Sequence, residues 1–151
     1  MEKKICAFFG HRDCPETVKS QIRQAVVDLI ENHKVTMFYV GNQGNFDCLV
    51  LSVLKETTTA YPGVEYAVVL AYMPSAKSQA TSGGYLEAIL PEGVELVPKR
   101  FAIPWRNKWM IDHADYVVTY VTRSYGGAAK AMNQAIKSGK IIYSITQECL
   151  K

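Results

Sequence analysis

Apolar residues recur along this chain in two patterns that take turns. Short unbroken runs have the length and the β-branched or aromatic content of strands covered on both faces: Ile5–Phe9 (ICAFF), Val35–Val40 (VTMFYV), Glu65–Tyr72 (EYAVVLAY), Tyr116–Val121 (YVVTYV) and Ile141–Ile145 (IIYSI). Between them the apolar spacing changes to that of a helix face. Val18, Ile22, Ala25, Val26, Leu29 and Ile30 predict a helix opening at Pro15 and running to about His33, with the proline in the first turn, where its missing N–H is not needed. Phe46, Leu49, Val50, Val53 and Leu54 predict a second helix. Pro104–Ala114 (PWRNKWMIDHA) predicts a short one, with Trp105 and Trp109 a turn apart as an aromatic core stripe. Ala128, Ala129, Met132, Ala135 and Ile136 predict the last, closed by Gly139 as C-cap. The stretch 74–104 is less regular: PSAKSQATSGG predicts a mobile loop, and Gly93–Pro98 (GVELVP) a short strand.

Strand, loop and helix in regular alternation imply parallel βαβ units with right-handed crossovers. The expected fold is therefore α/β: a three-layer, Rossmann-like, mostly parallel sheet with helices on both faces. At 151 residues the chain has the size of a single domain, with no internal repeat, low-complexity tract or linker to divide it. It is long enough to bury a core without disulfide or metal staples.

Composition narrows the chemistry. With 48% hydrophobic and 21% charged residues, the chain is ordinary for a globular protein. A net charge of +3 permits an anionic small molecule but is too weak to argue for nucleic acid. Cys6, Cys14, Cys48 and Cys149 form no CxxC pair and no zinc-type array, so they read as small hydrophobes or thiols in a reducing compartment. His33 and His113 have no metal partner at usable spacing, and no metal site is expected. The N-terminal MEKKICAFFGHRD lacks a long apolar core, and no window approaches the roughly 18 apolar residues of a membrane span. A soluble cytoplasmic protein is expected.

The chemistry-bearing residues gather in turns that follow strands. In an open parallel sheet, ligands bind outside the carboxyl ends of the strands, near the switch point. Three polar, glycine-bearing turns fall there on the parallel reading: GHRD, GNQGNFD and RSYGGAA. None is a P-loop, and none has GxGxxG spacing. In the first, Gly10 permits a tight exit, and His11 and Arg12 stand at the mouth of a helix whose free N–H groups attract an anion. Arg12 adds a planar fork suited to phosphate or carboxylate, whereas His11 reads equally as proton donor, hydrogen-bond partner or structural residue. In the second, Gly41 and Gly44 allow close backbone approach, and Asn42 and Asn45 tolerate left-handed conformations. Asp47 is there a helix cap, a ribose-hydroxyl acceptor or a base acting on a sugar. In the third, Tyr125 precedes Gly126-Gly127, which leave the N–H groups of an alanine-rich helix unobstructed for phosphate. Arg106 and Asn107 form a charged-polar corner that could face the same cleft. Asp112 and Asp115, near a helix end, read as solvated or capping residues.

The ordered set of motifs resembles a family. GHR after the first strand, G-x-x-G-x-x-D after the second, R-N-x-W-M-x-D-x-A-D-x-V before and into the penultimate strand, and Y-G-G-A before the last helix are similar to the SLOG superfamily. Within it, the chain is most similar to the YpsA-like branch and its domain-of-unknown-function relatives. The resemblance runs from Gly10 to about Lys140. It implies a Rossmann-like fold with ligands such as nucleotides, nucleotide sugars or NAD and ADP-ribose derivatives. More distant members are the LOG-type enzymes, phosphoribohydrolases that cut the N-glycosidic bond of a nucleoside monophosphate, with the signature PGGxGTxxE. Aligned on Gly126-Gly127, that signature places Tyr125 at the proline, Ala129 at the third glycine, Lys130 at the threonine and Asn133 at the catalytic glutamate. Asparagine cannot serve as a general base. DprA-like members bind single-stranded DNA, and this chain has no strong basic stripe or stacking-aromatic array to match.

The first expectation is thus a sensor or regulatory protein that binds a nucleotide-like small molecule through Gly10, His11, Arg12, Gly41, Asn42, Gly44, Asp47, Arg106, Asn107, Tyr125, Gly126 and Gly127, with no required cofactor. The second is a hydrolase or transferase acting on the N-glycosidic bond of a nucleoside phosphate, with Asp47 stabilising the sugar cation or activating water and His11 as the acid. The third is association with single-stranded nucleic acid. Helix faces of doubly wound sheets often pair, which leaves a homo-oligomer open.

Overall fold

Six strands, β1 (Lys4–Gly10), β2 (Val35–Val40), β3 (Glu65–Val69), β4 (Ala88–Ile89), β5 (Tyr116–Tyr120) and β6 (Ile141–Ser144), form one sheet in the computed structural model, which describes residues 4–72 and 88–145. Their order is β4-β3-β2-β1-β5-β6, and every neighbouring pair is parallel. Helices α1 (Lys19–His33), α2 (Asn45–Ala60), α3 (Lys99–His113) and α4 (Gly127–Lys137) complete the described structure, with short 3-10 turns at Glu16–Val18 and Val94–Leu96. The fold is the expected Rossmann-like α/β layering.

Side-chain alternation along the central strand shows why the chain folds in three layers. Cys6 and Phe8 enter a core with Ile22, Val26 and Leu29 of α1 and Phe46, Val50 and Leu54 of α2. Ala7 and Phe9 point to the other face and join Met110 and Ile111 of α3 and Ala131 and Ala135 of α4. A strand apolar at every position is thus satisfied by helices on both sides, the arrangement that an unbroken apolar run calls for. Phe8 and Phe38 lie 5.8 Å apart in the first core, where β1 meets β2.

The path of the chain fixes where a ligand can enter. From β1 it steps outward through β2, β3 and β4, then returns across the sheet to β5 on the other side of β1. Adjacent strands whose connections leave in opposite directions open a crevice at their carboxyl ends. Here that crevice lies between β1 and β5.

Several boundaries differ from those the sequence predicts. The helix expected to start at Pro104 starts at Lys99, with Pro98 as its N-cap and Pro104 inside it on the exposed side. Pro98 takes the role assigned to Pro104: its carbonyl accepts the Phe101 N–H at 2.8 Å. Gly93–Pro98 is no strand; a 3-10 turn occupies Val94–Leu96, and the short strand lies earlier, at Ala88–Ile89. The third strand ends at Val69, although Leu70 N–H still bonds Ile89 O at 2.8 Å. On α4, Ala129, Ala131 and Ala135 are the buried residues, whereas Ile136 is 54% exposed. That helix lies over β1, β5 and the edge strand β6, and alanines let it approach the sheet closely. Its end follows the expected glycine: Gly139 N–H bonds Ile136 O and Lys140 N–H bonds Ala135 O, each at 3.1 Å. The PSAKSQATSGG loop lies outside the described residues.

Cys6 and Cys14 are buried and Cys48 is exposed; Cys149 lies outside the described residues. Burial pushes the Cys14 thiol up to about 11 and the Cys6 thiol up as well. Among the described residues no helix is long and apolar enough to cross a membrane, and no three metal-ligating side chains come together.

Candidate functional site

The loops after β1, β2 and β5 close around a cavity of about 310 Å3 at the carboxyl edge of the sheet, with α3 as its remaining wall. Each loop places its residues by a different device.

The β2 loop ends in Gly44, the N-cap of α2, at φ 94° and ψ −179°. Only glycine adopts that backbone conformation readily. A Cβ there would also stand 2.7 Å from Arg12 Cα, so Arg12 packs directly on the turn, and its carbonyl accepts the Asn45 N–H at 2.9 Å. Three residues into α2, Asp47 turns back, and its Oδ2 accepts the Gln43 N–H at 2.9 Å. Asp47 is therefore not the N-cap; it braces the loop from inside the first turn. It is only 7% exposed. Burial pushes its carboxyl up to about 6, against the opposing pull of the Gln43 N–H and the Arg106 and Arg12 guanidiniums.

Arg106 reaches the same place from α3. A Cβ on Gly41 would lie 2.4 Å from Arg106 Nη1 and 2.9 Å from Asp47 Oδ2, so the absent side chain of Gly41 makes room for both charged groups. Nη1 donates to Val69 O at 3.2 Å, and Nε donates to Asn107 Oδ1 at 3.0 Å. Arg106 is 4% exposed, and burial lowers its proton affinity while the Asp47 charge restores part of it. A guanidinium buried beside a carboxylate, without direct ion-pair contact among the described residues, retains charge to offer a ligand.

The β1 and β5 loops are tied across the crevice. His11 N–H donates to Tyr120 O at 3.2 Å, and His11 Nε2 accepts the Thr122 N–H at 3.0 Å. Accepting a backbone N–H at Nε2 puts the ring proton of neutral His11 on Nδ1. Burial, and then the nearby Arg123 charge, lower its pKa, with Asp13 opposing, which favours the neutral ring. His11 is therefore a hydrogen-bond donor at Nδ1, and it can take up a proton only by losing the Thr122 bond. Arg123 forms a two-pronged pair with Asp13, both N–O distances being 3.1 Å.

The β5 loop ends as the β2 loop does: Gly126, the N-cap of α4, has φ 96° and ψ 172°. The surroundings differ. Where Gly44 is filled by Arg12, a Cβ on Gly126 or Gly127 would meet no described residue within 4 Å. The first turn of α4 thus presents its N–H groups to open space beside the cavity.

Of the residues singled out in the sequence, Gly10, His11, Arg12, Gly41, Asp47, Arg106, Asn107, Gly126 and Gly127 line the cavity. Asn42, Gly44 and Tyr125 do not. Asn42 is exposed and accepts from Gln43 Nε2 at 3.3 Å; Gly44 lies behind Arg12; Tyr125 is 69% exposed, with Arg123 5.3 Å above its ring. The sequence reading missed Gln43, Arg123, Phe8, Phe9, Ile103 and Ala128 as lining residues. Arg123 carried a signal, as the only charge in the third turn. Asn133, at the position of the LOG-type glutamate, is exposed on α4 and does not line the cavity. Asp112 pairs with Lys108 at 2.9 Å and Asp115 accepts the Ile5 N–H at 3.0 Å.

No family model and no curated protein matches the chain. Among solved structures, the chain is similar to DNA processing protein A (DprA) from Streptococcus pneumoniae, with a TM-score of 0.71 and 14% identity. The match covers 99% of this chain and 52% of the other, so this chain spans about half its length. At that identity the likeness is one of fold, and it agrees with the Rossmann-like architecture.

Proposed function

We propose that the protein binds an anionic, nucleotide-like small molecule in the cavity between the β1, β2 and β5 loops, as a sensor or regulatory protein. The observation that carries this reading is the combination of an open α4 N-terminus at Gly126-Gly127 with the buried Arg106 on the same cavity. A phosphate placed there meets free N–H groups and the positive end of the helix, and Arg12 and Arg106 supply full charges. The resemblance to the SLOG superfamily, in particular its YpsA-like branch, points to the same ligand class. A cavity of this size, near the lower end for ligand pockets, suits a mononucleotide or sugar phosphate better than a dinucleotide.

A thermal-shift screen with AMP, GMP, UDP-glucose, NAD and ADP-ribose tests the reading. A ligand at a hundred times its Kd raises stability by about 2.7 kcal/mol. No shift with any phosphate-bearing compound overturns it. A single-stranded oligonucleotide belongs in the same screen, because the fold neighbour is named as a DNA processing protein; binding of the oligonucleotide alone, weakening with salt, would favour that reading instead.

A second reading rests on Asp47. A carboxyl pushed up to about 6 in a cavity can exchange protons near neutrality, as hydrolysis of an N-glycosidic bond requires. Chromatography of nucleotide incubations separates the two: release of free base that stops in Asp47→Asn makes the protein a hydrolase, and saturable binding with intact nucleotide makes it a sensor.

A further inference from the structure

Asp47 has two carboxylate oxygens with different fates. Oδ2 is occupied by the Gln43 N–H. Oδ1 receives no hydrogen bond from any described residue. Among described side-chain atoms sealed from solvent, only Thr36 Oγ1 and Arg123 Nε lack a partner. Asp47 Oδ1 is not among them, and Asp47 lines the cavity. A carboxylate more than nine-tenths buried, with one oxygen unpartnered among the described residues, calls for a donor.

The surroundings decide which donor. A phosphate is excluded by like charge. A metal ion is disfavoured, because Arg106 and Arg12 already place positive charge on this carboxylate and no further acidic side chain lines the cavity. A neutral hydroxyl remains. Asn107 lines the same cavity; its Oδ1 is taken by Arg106 Nε, and its Nδ2 donates to no described residue. One acceptor and one donor lining a single cavity suit a sugar diol, which gives and takes hydrogen bonds at once.

We infer that the site selects ribose-configured ligands, with the sugar diol held by Asp47 Oδ1 and Asn107 and the phosphate directed to Gly126-Gly127. This rests on the phosphate-site reading above and adds a polarity: the carboxylate at the α2 end repels the anionic group, and the open α4 turn attracts it. The ligand class is then a ribonucleotide or ribose phosphate, not its 2′-deoxy counterpart.

Calorimetric titration of the full chain with ribose 5-phosphate, 2-deoxyribose 5-phosphate, AMP and 2′-deoxy-AMP tests the inference. Each ribo form is expected to bind about 10- to 100-fold more tightly than its deoxy partner, the range for a hydrogen bond to a charged group. In Asp47→Asn the side-chain carbonyl still accepts the Gln43 N–H, but an NH2 group replaces the free oxygen, and the ratio is expected to fall towards one. Equal binding of ribo and deoxy forms by the wild type overturns the inference and leaves the phosphate site standing. A ratio that persists in folded Asp47→Asn also overturns it, by placing the selectivity elsewhere. If none of the four binds, both readings fall. Should Asp47→Asn fail to fold, by circular dichroism, the wild-type ratio decides alone.

Discussion

Replacing Gly127 by alanine separates the needs of the fold from those of the ligand. Gly127 is the first residue of α4, it has an ordinary backbone conformation, and a methyl group on it would touch no described residue within 4 Å. The chain therefore gains nothing from a glycine here: alanine at a helical position is favoured by roughly 0.5–1 kcal/mol. For a domain of this size that corresponds to a rise in Tm of about 1–4 °C. The same methyl would stand where a phosphate must approach the α4 N–H groups, so nucleotide affinity should fall by about tenfold or more. Gly126→Ala is the contrasting variant. At φ 96° and ψ 172° it forces a residue with a Cβ into a glycine-only conformation, at a cost of about 1–3 kcal/mol. Denaturant unfolding and nucleotide titration of both variants give four numbers from one experiment. Two results would refute the reasoning: a destabilised Gly127→Ala, which would mean that the space is used by the protein, or a stabilised Gly127→Ala with unchanged affinity, which would mean that no ligand uses it.

Three further outcomes follow from the buried charges. The Asp47 carboxyl has a folded pKa raised from 3.8 to about 6, so the folded state holds its proton more tightly than the unfolded one; the cost of ionising it is absent below about pH 4 and reaches roughly 3 kcal/mol above pH 6. Urea unfolding of Asp47→Asn from pH 4 to 8 should accordingly show a flatter profile and a more stable protein at pH 7; an unchanged slope would mean that the carboxyl is well solvated. Gly41→Ala should lose about 1–3 kcal/mol in the same assay and bind ligand poorly, since its Cβ would collide with Arg106 Nη1 and Asp47 Oδ2. Arg106→Met keeps the length and apolar stem of the side chain but removes its charge; phosphate affinity should drop about 10- to 100-fold in titration while the protein stays folded.

Much of the site was legible because its residues lie where strands end. Gly10-His11-Arg12, Gly41 and Gly126-Gly127 stand immediately or almost immediately after apolar runs, and a parallel sheet brings all such turns to one edge. Arg106 and Asn107 could be suspected only as a polar pair on an otherwise aromatic helix, since nothing local says which way α3 faces. Tyr125 and Asn42 were misplaced for a simple reason: turn residues alternate between facing the cleft and facing water, and spacing does not say which. Similar glycines also hid opposite roles. Gly44 and Gly126 have nearly the same backbone conformation, but one is filled by Arg12 and the other faces open space.

The layering follows from the apolar pattern alone, because five unbroken apolar runs separated by helix-spaced segments have few other ways to bury both faces of a sheet. The same pattern sets the edge on which the polar turns meet. The electrostatics of the site arise only on folding. Asp47 and Arg106 are separated by 59 positions in the chain, and only the packing of α3 against the β2 loop sets them on either side of the space left by Gly41. Burial there, a property of the whole fold and of no local motif, pushes the Asp47 carboxyl up to about 6 and leaves its second oxygen without a partner among the described residues.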